Sequence, residues 1–140
     1  MAGGIIPIMP KVGNISFAQI ASAVTGADMT SAALIFTADA TNGSILYEVR
    51  VKYLPGTSTT STPIRIFLNN NGTLSTTTNN SLLTETNVPA ITTTQTAGTT
   101  DFFIPMPRGG IILPPSYRVY ATAPSWTTGT FMVTAFGGNF

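Results

Sequence analysis

The chain has 140 residues but no histidine and no cysteine, and only 8% of its residues are charged. It therefore lacks the side chains that most often shuttle protons, attack as thiolates or bind soft metal ions. Its five acidic residues are scattered, and no two have a spacing that local geometry would bring together. We therefore predict no catalytic residue, no metal site and no cofactor, and we interpret the chain as a structural or binding protein, not an enzyme.

Long apolar runs and clusters of one charge are also scarce. No segment reaches the ~20 apolar residues of a membrane-spanning helix, so we expect no membrane partner. The six basic residues are spread over the chain, and the net charge is only +1. Without a basic patch to hold a phosphate backbone, we expect no nucleic-acid partner. The length is that of one domain, and the absence of cysteine is compatible with folding in a bacterial cytoplasm.

Apolar residues that alternate with polar ones dominate the rest of the chain, and this period of two is typical of β-strands. Segment 44–53 shows it best, and segment 15–23 fits a strand slightly better than a helix. One face of 44–53 is predicted to be buried and the other exposed: Ile45, Tyr47, Val49, Val51 and Tyr53 against Leu46, Glu48, Arg50 and Lys52. Further strands are predicted at 34–38, 64–69, 82–87, 91–94, 101–104, 111–113, 117–122 and 131–136.

About eight or nine short strands among these ten segments, with no convincing helix, predict an all-β fold, a single-domain antiparallel β-sandwich or jelly roll. Asn42-Gly43 favours a tight hairpin between segments 34–38 and 44–53. Asp28 and Asp39 are interpreted as turn-formers, and the Thr- and Asn-rich segment 73–80 as an exposed loop. Two ion pairs are also expected, Glu48 with Arg50 and Arg65 with Glu85.

The N-terminus is predicted to be an extended arm, residues 1–13, ahead of a sandwich domain at 14–140. Pro7 and Pro10 prevent the arm from forming a helix that would shelter its apolar side chains. Those side chains must pack either on their own domain or on a neighbouring subunit. The candidate partner-contact residues of the arm are Ile5, Ile6, Ile8 and Met9.

Trp126 is a further candidate partner-contact residue. It lies in the predicted reversal between the last two strands, within the sequence Pro-Ser-Trp-Thr-Thr-Gly. A tryptophan at a hairpin tip either covers the open end of a small β domain or inserts into a partner. Both interpretations stay open at the level of sequence.

Two stretches of the chain share a pattern with small virion proteins of tailed bacteriophages. The first combines Ile-Arg-Ile-Phe-Leu-Asn-Asn at 64–70 with Asn-Asn-Ser-Leu-Leu-Thr-Glu at 79–85 and Val-Pro-Ala at 88–90. The second combines Leu-Pro-Pro-Ser-Tyr-Arg-Val at 113–119 with a final Phe-Gly-Gly-Asn-Phe at 136–140. In these stretches, which lie within 64–140, the chain resembles that group, although Asn139 stands where an acidic residue is common and Val88 where leucine is commoner.

The resemblance implies a capsid decoration (cement) protein, or another accessory component of the head or tail. As a decoration protein it would be made in the host cytoplasm and bind the major capsid protein on the capsid exterior, with a homotrimer as the expected assembly. The alternative function is a receptor-binding β module of a tail or fibre, which would hold a glycan with Trp126, Tyr117, Tyr120 and the Asn/Thr loop.

Overall fold

The computed structural model describes residues 9–26, 28–56, 58–96, 98–124 and 131–140. These residues form strands, turns and one short 3₁₀ helix at Thr77–Asn79. The strands are β1 (Val12–Ile20), β2 (Ala33–Thr37), β3 (Ser44–Tyr53), β4 (Ser58–Thr59), β5 (Thr62–Asn69), β6 (Asn80–Val88), β7 (Ile91–Thr92), β8 (Asp101–Ile104), β9 (Ile111–Leu113), β10 (Arg118–Thr122) and β11 (Phe131–Asn139). No helix in the described ranges is long and apolar enough to cross a membrane.

Nine of the strands form two packed antiparallel sheets, and β4 and β7 pair with each other in a separate two-stranded sheet. The first sheet has the order β1-β11-β3-β8, with β9 also paired to β3, and the second has the order β2-β10-β5-β6. The pairings are nested: the first strand pairs with the last, the second with the one before it, and so on inward to β5 and β6. This nesting is the topology of a jelly roll. The predicted all-β sandwich is therefore confirmed, and 15–23 contributes a strand as expected.

The main core lies between the two sheets. Val49, Val51 and Tyr53 of β3 are buried there beside Phe131 and Val133 of β11, in the alternation predicted for these segments. Burial of side chains of this size contributes about 1.5–3 kcal/mol each. Strand β1 begins at Val12, so the last two residues of the predicted arm belong to the first sheet.

The predicted hairpin between β2 and β3 is wrong. The Asn42-Gly43 turn does form, with Gly43 at φ +77°, but it carries the chain from the second sheet to the first. A Cβ on Gly43 would lie 2.4 Å from the carbonyl oxygen of Leu113, so the turn is also tightly packed. Turn residues determine where a chain reverses, whereas nested long-range pairing determines which strands become neighbours.

The predicted burial pattern of β3 is wrong at its start. Leu46 is buried and Tyr47 is exposed, the reverse of the expected alternation. Glu48 pairs with Phe136 and Leu46 with Gly137, so Tyr47 is an extra residue opposite β11. Such a β-bulge shifts the alternation by one position. From Val49 onward the predicted faces are correct.

Candidate functional site

The predicted partner-contact residues are only partly visible. Met9 is described and is 73% exposed, whereas Ile5, Ile6, Ile8 and Trp126 lie outside the described residues. Most of the other exposed large apolar side chains among the described residues lie on the first sheet.

The outer face of the first sheet carries large apolar side chains on three of its strands. In an antiparallel sheet, residues directly opposite each other point to the same side. One row of such partners runs across the sheet: Phe17, Thr134, Arg50 and Phe103. The next row contains Ile15 opposite Phe136. Phe17 is 68% exposed, Ile15 66% and Phe103 56%.

Arg50 is the centre of this face. Its guanidinium carbon lies 5.1 Å from the ring centre of Phe103 on β8 and 5.2 Å from that of Phe136 on β11. A guanidinium that stacks on two rings keeps both rings and its own long side chain in fixed positions. The face therefore has a rigid aromatic surface around one cation.

Two carboxylates contact the Arg50 guanidinium, those of Glu48 and Asp101. The predicted Glu48–Arg50 ion pair is therefore confirmed. Nη2 of Arg50 lies 2.9 Å from Oε1 of Glu48, and Nη1 lies 3.8 Å from Oδ2 of Asp101. Lys52 neutralises Asp101 at 3.1 Å. The four charges balance, and they lie on the β3 and β8 side of the sheet. The three other strands of the sheet, β1, β9 and β11, have no charged residue.

A shallow depression of about 280 Å³ adjoins Arg50 at one end of this face. Its wall includes Tyr53, Pro55, Met132 and Phe136. The Tyr53 hydroxyl donates a hydrogen bond to the carbonyl oxygen of Pro89, and burial raises the pKa of Tyr53. The Tyr53 side chain itself is 1% exposed and belongs to the core between the sheets, so its hydroxyl is not presented to a ligand in this depression.

Burial of the outer face by a partner would be favourable, because it gains more free energy than the contacts within the face supply. Exposed cation–π contacts and surface ion pairs each contribute about 0–1 kcal/mol, too little to explain why aromatic residues are kept in water. Complete burial of one phenylalanine or isoleucine gains about 1.5–3 kcal/mol. Contact with a partner would thus gain more than the internal contacts of the face supply. Clustered exposed apolar residues of this kind mark interaction sites.

Sequence reasoning missed this face, although a signal was available. One face of an antiparallel sheet in a sandwich is normally polar. In β1, Ile15 and Phe17 alternate with the small residues Ser16 and Ala18, and the larger side chains point outward. Large apolar residues at the outward positions of a strand, here Ile15 and Phe17, therefore indicate a binding surface.

Among the residues expected for glycan binding, those that the structure describes are not gathered into a site, and Trp126 lies outside the described residues. Tyr120 is buried and Tyr117 is half-buried. The amide groups of the Asn/Thr loop bond within the loop: Asn79 Nδ2 donates to the carbonyl oxygen of Thr73, and Asn80 Nδ2 donates to that of Leu74. These groups hold the loop together and are not directed at a ligand. Within the described part of the chain, no three acidic residues are grouped so as to hold a metal ion.

Comparison with known proteins adds no assignment to this site. No protein-family model, no curated protein and no solved structure matches the chain significantly. A function for the outer face must therefore come from its geometry and from the sequence patterns given above.

Proposed function

We propose that this chain is a structural virion protein of a tailed bacteriophage that binds the assembled capsid and stabilises it. The observation that carries the proposal is the outer face of the first sheet, where Phe17, Phe103 and Ile15 are exposed and Arg50 stacks on Phe103. Aromatic residues and arginine are enriched in the cores of protein interfaces. The resemblance of stretches within 64–140 to tailed-phage virion proteins supports a virion component as the partner, and the assembled capsid is the one proposed here.

The mechanism requires only non-covalent contact. A protein that binds across the junction of two shell subunits stabilises the bound arrangement, because separating the subunits would also break its own contacts. Since Arg50 is already fixed by two rings and two carboxylates, little side-chain entropy remains to be lost on binding. A preorganised face of this kind suits a partner that is itself a broad, regular surface.

Two further contacts belong to the proposal. The apolar arm that contains Ile5, Ile6 and Ile8 would extend the contact to a neighbouring subunit, and Trp126 would insert at the end of the domain. Jelly rolls are used by both capsid and lectin domains, so the fold is compatible with this role without selecting it.

The test is the attachment of purified protein to shells of the corresponding phage assembled without it. Phe103→Ser should weaken attachment about tenfold or more, because Phe103 is 56% exposed on the face and stacks on Arg50. Leu82→Ser is the matched control, since Leu82 is also exposed but lies on β6 of the second sheet. Sedimentation of particles with bound protein gives the affinities.

Equal attachment of the Phe103→Ser and Leu82→Ser proteins would contradict a role for the outer face. Tight binding of a glycan by the intact protein, detected by quenching of Trp126 fluorescence, would favour the receptor-binding alternative. Trp126 is the only tryptophan in the chain, so the signal has one source.

A further inference from the structure

The outermost strands of the two sheets differ in how they are protected. An edge strand presents backbone donors and acceptors to any other extended chain, and proteins commonly block this with short strands, bulges, charges or prolines. The edges here are β1 on one side of the first sheet, β8 with β9 on its other side, and β2 and β6 in the second sheet.

Three of these edges carry protective features. Strand β6 has a charged residue, Glu85, and a register shift opposite Ile66 and Phe67. Strand β2 has five residues and a register shift opposite Val119 and Tyr120. Strands β8 and β9 have only four and three residues. Each device interrupts the regular ladder that a new strand would need.

Strand β1 has none of these features. It is nine residues long, has no charge and no proline, and keeps an unbroken register with β11 from Val12 to Ile20. On its other side β1 lies close to β2 of the second sheet, with a hydrogen bond from Asn14 Nδ2 to the carbonyl oxygen of Thr37 at 3.1 Å, but the two strands form no backbone ladder. Of the edge strands, β1 is thus the one most suited to accept another strand.

We propose that β1 pairs antiparallel with β1 of a second copy of this chain across a two-fold axis. Two-fold antiparallel pairing places one residue opposite itself, and complete overlap of the nine residues places Ser16 there. Ile15 then lies opposite the partner subunit's Phe17 on the outer side. A β-branched residue opposite an aromatic residue is a stabilising cross-strand pair.

A second copy fits this edge better than an unrelated chain for electrostatic reasons. Strand β1 offers no charge that would select a charged peptide, and two copies of an uncharged strand have no like charges to oppose. The flanking Lys11 lies outside the nine paired residues, so the two lysines remain at opposite ends of the ribbon.

The pairing joins two first sheets into one continuous sheet. Because the two-fold axis is perpendicular to the sheet, the outer faces of both copies lie on the same side, and Ile15 and Phe17 of each copy form one strip. The assembly has two chains instead of the three that the resemblance implies. This inference concerns the isolated protein and does not depend on the capsid proposal.

Cysteine cross-linking tests the pairing directly, because the chain has no cysteine of its own. Opposite residues of an antiparallel ribbon have Cα atoms about 4.5–5.5 Å apart, a separation that a disulfide spans. Under mild oxidation, Ser16→Cys should convert most of the protein to a covalent dimer. Ser81→Cys, the same substitution on the protected edge β6, should remain mostly uncross-linked.

The register and the stoichiometry provide two more readouts. Ile15→Cys and Phe17→Cys chains should cross-link efficiently when mixed and poorly when separate. Light scattering of the unmodified protein should give twice the 14.6 kDa of one chain. The double variant Ile15→Lys/Phe17→Lys, which opposes lysines at exposed positions, should give one chain while keeping its β circular dichroism spectrum.

A mass of one or three chains for the unmodified protein would overturn the proposal. So would equal cross-linking of the Ser16→Cys and Ser81→Cys proteins. If the dimer forms but the Phe103→Ser protein attaches to shells normally, only the proposed docking face fails, because Phe103 lies on β8 at the far edge of the sheet.

Discussion

Asp28 and Asp39 each accept hydrogen bonds from backbone N–H groups a few residues along the chain. Oδ1 of Asp39 accepts hydrogen bonds from the N–H groups of Asn42 and Thr41, at 2.8 and 2.9 Å, and these bonds lower the pKa of Asp39. Asp28 is held in the same way by Thr30, whose hydroxyl and N–H bonds lower the pKa of Asp28. Both predicted turn-formers are confirmed.

Replacement of Asp39 by asparagine should change how stability depends on pH. A carboxylate whose pKa is lowered by folding stabilises the folded state above its unfolded pKa of about 3.9, and this contribution is lost as the pH falls through the folded value. Asp39→Asn cannot titrate, so its free energy of unfolding should fall less than that of the unmodified protein between pH 6 and acid. Urea unfolding at several pH values measures the difference.

Thr41→Ala is the control for this experiment, because it keeps the Thr41 N–H and the carboxylate. Its pH dependence should equal that of the unmodified protein. Identical acid profiles for Asp39→Asn and the unmodified protein would show that the turn does not hold the ionised form.

Asn139 has a role that the sequence pattern did not reveal. Its Oδ1 accepts hydrogen bonds from Ser44 Oγ at 2.6 Å and from Asn14 Nδ2 at 2.9 Å. The residue therefore ties the end of β11 to both neighbouring strands. An acidic residue would also offer an acceptor at this position.

At the scale of strands, the bulge in β3 depends on a close approach at Gly137. A Cβ at Gly137 would lie 2.3 Å from the carbonyl oxygen of Ile45 and 2.8 Å from ring atoms of Phe36. Gly13 lies on the neighbouring strand β1, and a Cβ at Gly13 would have no atom within 4 Å. The two glycines thus allow a matched comparison.

Gly137→Ala should destabilise the protein by about 1–3 kcal/mol, since strand β11 or the Phe36 ring must move to admit the methyl group. Gly13→Ala should be neutral or stabilise by about 0.5 kcal/mol, through the lower entropy of the unfolded chain. Thermal unfolding measures both. Equal stabilities of the two variants would contradict the tight contact between β11 and β3.

Strand pairing also explains the Arg65–Glu85 ion pair. The two residues are direct partners in the β5–β6 register, and Arg65 Nε lies 3.0 Å from Glu85 Oε2. The sequence expectation is confirmed for the partners, and the pair is only partly buried. An ion pair at such a site contributes about 0–1 kcal/mol, so its main effect is on the register of the strands.

At the scale of the whole molecule, the nested pairing brings the first and last strands together. The core described above is built from strands β1 to β11, and Pro10 packs on Gly138 just before β1 begins. Residues 1–8 precede this contact. They are therefore the part of the chain that the capsid proposal assigns to a partner.

Deletion of residues 1–8 should leave the fold intact and weaken attachment to shells. Unchanged circular dichroism and melting temperature would report the intact sandwich, because Pro10 and β1 are retained. Sedimentation with shells would report the lost contacts of Ile5, Ile6 and Ile8. Full attachment of the shortened protein would contradict a partner role for the arm, and a lowered melting temperature would place the arm on its own domain.

The sequence by itself determined the local features of this protein. Alternation located the strands because side chains on a strand point to opposite faces, and Asp28, Asp39 and Gly43 marked turns because their conformations are local. It also named the partners in two ion pairs. These features depend on residues and their near neighbours.

Only the tertiary structure decided which strands pair and what the surface presents. The choice of β10 over β3 as the neighbour of β2, and the bulge at Tyr47, follow from packing two sheets around one core. The Phe103–Arg50–Phe136 stack joins three strands that are distant in sequence. Such features arise from long-range pairing, which no local pattern encodes, so the outer face and the open β1 edge became visible only in the folded chain.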